Sequence, residues 1–173
     1  MTQNRQTMDQ TVMMVGACLL FLGGLMIGVA VNAKGAPIVG MAHTLGLLEA
    51  VYMFAFVAVR PHVRFNPLNA WIFVGLTLVS FYCNFAGICM TVITGAGAGM
   101  YLPPWDAYVT NDPTAANRLV GFLLNMSATA VALPVMLAIG WFDRTRKTET
   151  IQTAMTVAAL LFTAVMLYFT FFA

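Results

Sequence analysis

Glu49 is the side chain that most needs a chemical explanation, because it stands inside an apolar run, residues 40–59. A carboxyl at that depth in a membrane is costly unless paired or neutralised, and there it marks a functional site by default. Such a group can serve as a general acid or a general base. His43 precedes it by six residues on the same run. At about 100° and 1.5 Å per residue, the two lie about 120° apart around a helix and about 9 Å apart along it. They therefore flank one pocket or face different neighbours. An imidazole there either makes a structural hydrogen bond or ligates a metal or haem, and chemistry alone leaves both open. The third run adds Tyr82, Asn84, Thr91 and Thr94, and Asn84 is about as far from its helix start as Glu49 is from its own. Asn125 and Ser127 reach a similar depth on the fourth. The expectation is a buried constellation of His43, Glu49, Tyr82, Asn84 and Asn125. Of these, Glu49 is the functional candidate from chemistry alone. Asn125, Ser127, Thr91 and Thr94 read as ordinary interhelical hydrogen-bonding residues. His62, between Arg60 and Arg64, reads as solvated.

These residues must be held by membrane helices. Of 173 residues, 61% are hydrophobic and 8% charged, against about 25% charged in a typical soluble domain. The net charge of +2 is too small and too localised to suggest a nucleic-acid surface. Five apolar segments follow one another, about 11–31, 40–59, 70–97, 118–142 and 151–173. They predict an all-α integral membrane protein: one domain, 1–173, an antiparallel bundle of four core transmembrane helices plus a fifth C-terminal helix. The first segment is longer than the ~7–15 residues of a signal-peptide core and reads as a retained helix. Prolines at 37, 61 and 67 mark the short turns. The stretch after Gly95-Ala96-Gly97 up to Asn117 is the one long loop.

Arg5, Arg60, Arg64, Arg144, Arg146 and Lys147 fall on one side of this topology, Lys34 and Arg118 on the other. The positive-inside rule then puts the N-terminus in the cytoplasm, and a bacterial inner membrane is the expected location. Cys18, Cys83 and Cys89 have no CxxC spacing and read as small core residues. Gly24-Leu25-Met26-Ile27-Gly28 is a small-xxx-small match that permits close helix packing.

Gly40-Met41-Ala42-His43 with a polar residue six further on, then Tyr82-Cys83-Asn84-Phe85 and Gly95-Ala96-Gly97, resembles the hydroxylaminobenzene mutase family over about the first 140 residues. It is similar, more distantly, to styrene oxide isomerase. The resemblance implies a membrane isomerase or mutase that rearranges a small hydrophobic, aromatic substrate with no net redox change. It implies catalytic roles for Glu49, Tyr82 and Asn84, a substrate contact from Asn125, a homotrimer or other homo-oligomer, and haem b bound through His43, with ferric iron as a Lewis acid. Two positions depart from the pattern. Glu49 stands where styrene oxide isomerase has an asparagine, and its substrate-binding tyrosine would fall near Ile88. The mutase chemistry therefore fits better than epoxide chemistry.

Two other readings compete. A non-enzymatic haem or electron-transfer protein needs a second axial ligand, which His62 is badly placed to supply. A small proton-coupled transporter using Glu49 predicts an internal repeat or an unwound helix near the midplane, and the sequence suggests neither.

Overall fold

A computed structural model describes residues 7–34, 37–94, 115–142 and 146–172. The helices are α1 (Met8–Lys34), α2 (Pro37–Val59), α3 (Pro67–Thr94), α4 (Ala115–Met126), α5 (Ala132–Phe142) and α6 (Arg146–Phe172). The chain is an all-α integral membrane bundle, with four segments long and apolar enough to cross a bilayer: Met8–Val29, Val39–His62, Pro67–Ile93 and Arg118–Phe142. Pro37 and Pro67 open helices instead of merely ending them. The missing N–H of proline costs nothing in a first turn, where it would have no intrahelical partner. Gly95-Ala96-Gly97 and the long loop as far as residue 114 lie outside the described residues, and the last three residues expected in that loop, from Ala115 to Asn117, already belong to α4.

Two hydrogen bonds set the register of α1 against α2. Gln10 Nε2 donates to Val57 O at 3.1 Å, and His43 Nδ1 meets Gly24 O at 2.8 Å. Fourteen residues up α1 correspond to fourteen back along α2, so the helices are antiparallel and in step. The glycines permit this approach: a Cβ on Gly24 would lie 3.1 Å from Leu47 N, and one on Gly16 2.8 Å from Met53 Cε. Arg60 closes the same end of the bundle. Its Nε donates to Asp9 Oδ2 at 2.5 Å and its Nη1 to Val63 O at 3.2 Å, and its guanidinium lies 5.5 Å from the Phe65 ring centre. The core beneath is built from Met13, Leu20, Met53, Phe56, Phe73, Leu133 and Met136, with Phe56 and Phe73 stacked at 4.5 Å.

The fourth crossing is not one helix. A 3-10 turn, Ser127–Val131, separates α4 from α5. Pro134 supplies the cause: it cannot donate to the carbonyl of Ala130, and its ring crowds that carbonyl, so the preceding turn tightens. The broken crossing is fastened to α3 by a very short hydrogen bond between the buried hydroxyls of Ser80 and Thr129. An interrupted helix was not expected from the sequence, and it removes one objection to the transporter reading.

The fifth segment forms α6, whose apolar stretch Thr150–Val165 is shorter than the other four among the described residues. It is no dispensable addition. Gln152 is fully buried, donating through Nε2 to Arg64 O and Met136 O, both at 3.1 Å, while its Oε1 accepts from Asn69 Nδ2 at 3.3 Å. Thr153 Oγ1 donates to Asn69 Oδ1 at 3.2 Å. One amide thus ties α6 to α3, α5 and the turn before α3.

Candidate functional site

Glu49 faces the protein interior, as expected, and is only 7% exposed. Asn84 Nδ2 donates to its Oε1 at 2.8 Å across the α2–α3 seam. Among the described residues the second carboxyl oxygen, Oε2, is buried without a hydrogen-bond partner. An orphaned polar atom of this kind costs free energy in a fold and persists where something else uses it.

His43 turns the other way, toward α1. Its Nδ1 lies 2.8 Å from Gly24 O, and because a carbonyl only accepts, the proton is on Nδ1 and the lone pair of the neutral ring is on Nε2. Gly28 makes the space: a Cβ there would stand 2.5 Å from Nδ1 and 2.7 Å from Cε1. The Gly24-xxx-Gly28 match is therefore a cradle for an imidazole as well as a helix-packing surface.

The five expected residues do not form one cluster. Glu49 and Asn84 meet, but His43 does not join them. Phe85, beside Asn84, rests against Gly23 and Gly46, so that a Cβ on Gly46 would lie 2.7 Å from its ring. Gly46 lies midway between His43 and Glu49 on α2, and the ring stands at the level between them. Tyr82 also faces α1, its hydroxyl donating to Gly16 O at 2.8 Å. It lines a groove of about 690 Å³ between α1 and α3, with Val12, Leu19, Leu78, Cys83 and Leu123. The half-buried Asn125 lies on α4, one residue after Leu124, whose side chain covers Gly87. The reason for the dispersal is angular: Tyr82 and Asn84 are two residues apart, about 200° around a helix, and cannot share a face.

Other expectations are corrected. Thr91 Oγ1 donates to Gly87 O at 3.0 Å and Ser127 Oγ to Leu124 O at 2.5 Å, so both serve their own helix and join no pair of helices. The Thr94 side chain lies outside the described set. Cys18 is exposed on the apolar surface and is no core residue; Cys83 and Cys89 are half-buried. His62 is exposed as expected, with its ring 5.8 Å from Trp141.

Tyr52 was missed. It sits one turn beyond Glu49, and its ring meets Phe81 edge-on at 5.2 Å. Its hydroxyl, like Glu49 Oε2, is buried without a partner. The signal was available: Glu49 and Tyr52 are three apart on α2, and Phe81 and Asn84 are three apart on the antiparallel α3, so the pairs face each other one turn at a time.

Among the described residues no three His, Cys, Asp or Glu side chains gather to hold a metal ion by protein ligands alone. A haem needs fewer protein donors. His43 is the residue that would hold such a group, because its Nδ1 is occupied by a backbone carbonyl, the arrangement that fixes and strengthens an imidazole donor at Nε2. Comparison of the chain with protein families, with characterised proteins and with solved structures finds no match.

Proposed function

We propose that this chain is a membrane isomerase of the hydroxylaminobenzene mutase type, rearranging a small aromatic substrate with no net redox change. The observation that carries the reading is Glu49: a buried carboxyl with one oxygen held by Asn84 and the other orphaned. A fully satisfied structural carboxyl would have no such vacancy for a proton. Asn84 fixes the carboxyl plane, and Glu49 Oε2 takes or returns the proton that the rearranging group must exchange. The Tyr82 hydroxyl donates its hydrogen bond to Gly16 O on α1, so the ring serves as a wall of the apolar groove and does not face Glu49. Asn125 is a candidate substrate contact from α4. His43 would hold haem b through Nε2, and the group would supply Lewis-acid polarisation of a substrate oxygen. The surrounding apolar core excludes water from a cationic rearrangement. The resemblance adds a homotrimer or other homo-oligomer, and the basic residues add a bacterial inner membrane with the N-terminus inside.

One observation favours a second reading. The 3-10 turn at Ser127–Val131 is the kind of broken helix that transporters use near the midplane, and Glu49 would then be a proton relay.

Incubation of purified protein with phenylhydroxylamine or styrene oxide, with no added cosubstrate, separates the two. The expected result is an equal-mass rearranged product that Glu49→Gln abolishes. A protein loaded with haem should show a Soret band that His43→Ala removes. No product from either substrate, together with proton-coupled uptake into vesicles, would replace the isomerase with the transporter.

A further inference from the structure

We propose that Glu49 Oε2 and Tyr52 Oη form a two-point seat between α2 and α3 for a hydroxyl carried on a small aromatic ligand. Both atoms are buried and neither has a hydrogen-bond partner among the described residues. Side chains three apart on a helix are neighbours, with Cβ atoms about 5–6 Å apart. The facing helix fixes each one: Asn84 holds the other Glu49 oxygen at 2.8 Å, and Phe81 meets the Tyr52 ring at 76°.

The chemistry of the pair selects the ligand. The Tyr52 phenol donates, and Glu49, neutralised at this depth, donates from a protonated Oε2 or accepts there once it has released that proton. A hydroxyl, both donor and acceptor, satisfies the pair in either state. An ether or epoxide oxygen satisfies both only while Glu49 is protonated; a hydrocarbon satisfies neither. The seat deepens the proposed function by naming a specificity residue and a head-group chemistry at the same site, and it rests on that reading only for the aromatic class of ligand. An internal water could make the same two bonds, and the test distinguishes it.

The test uses protein in nanodiscs, labelled with ¹³Cζ-tyrosine and titrated with phenol, anisole and toluene. The Tyr52 resonance is identified by its loss in Tyr52→Phe. It should shift with phenol and not with toluene, phenol should bind more tightly than toluene, anisole should lose affinity relative to phenol once Glu49 ionises, and Tyr52→Phe should weaken phenol roughly tenfold, the value of one hydrogen bond. Equal binding of the three ligands would overturn the seat. So would phenol affinity unchanged in Tyr52→Phe, which leaves the two atoms to a water. Phenol does not rearrange, so the outcomes are separable. Phenol binding without turnover of phenylhydroxylamine sinks the isomerase and keeps the seat; turnover without preference for phenol does the reverse.

Discussion

Two polar clusters are buried in this bundle, and they are finished to different degrees. Around Gln152 both amide donor bonds and the acceptor find partners on three other parts of the chain. Around Glu49 one oxygen is bonded, while the other and the neighbouring Tyr52 hydroxyl are not. Both clusters cross helices and both are buried, so burial alone does not distinguish structure from function. Completion does. A closed network holds elements together, and an open one keeps capacity for something that comes and goes.

The comparison can be broken from either side. Gln152→Glu should have the largest effect on stability, about 3–5 kcal/mol, because it removes the donors to Arg64 O and Met136 O and buries a carboxyl against them. Unfolding in mixed micelles measures it, and a near-neutral variant would mean that α6 is held mainly by its apolar face. Asn84→Leu should cost about 1–3 kcal/mol by orphaning both Glu49 oxygens. Glu49→Gln should change stability by less than about 1 kcal/mol, since Oε2 has no native bond to lose, while lowering rearrangement at least about 100-fold. If Glu49→Gln destabilised as much as Gln152→Glu, the Glu49 cluster would be structural after all. The smallest effect belongs to Pro134→Ala. It restores an N–H for the Ala130 carbonyl, and amide exchange across residues 130–134 should slow with little change in global stability.

Much of the fold was legible because apolar length is a one-dimensional signal. All five segments of the sequence reading are helical wherever the structure describes them, with ends displaced by a few residues at Pro37, Pro67 and Arg146. The importance of Glu49 was legible for the same reason, since a lone carboxyl in hydrocarbon stands out. Depth along each helix was read correctly for Glu49 and Asn84, which meet. Rotation was not. Two residues of separation put Tyr82 against α1 while Asn84 faced α2, and the sequence carries no statement of which face meets which neighbour. Tyr52 was passed over because tyrosine is unremarkable in a membrane helix until its hydroxyl is found without a partner. The 3-10 turn was missed although Pro134 announces it, because the surrounding apolar run is continuous.

Gly28 and His43 occupy, in effect, one shared volume. Any carbon added to the first must take space from the second, where a Cβ would lie 2.5 Å from Nδ1. The two positions are therefore a single coupled choice in sequence space. A helix pair that has abandoned the imidazole is free to fill position 28 with alanine or leucine, and one that keeps the imidazole is not. Bulk at 28 combined with a small residue at 43 would mark a chain that has traded its donor for packing, and it can be read without any structure.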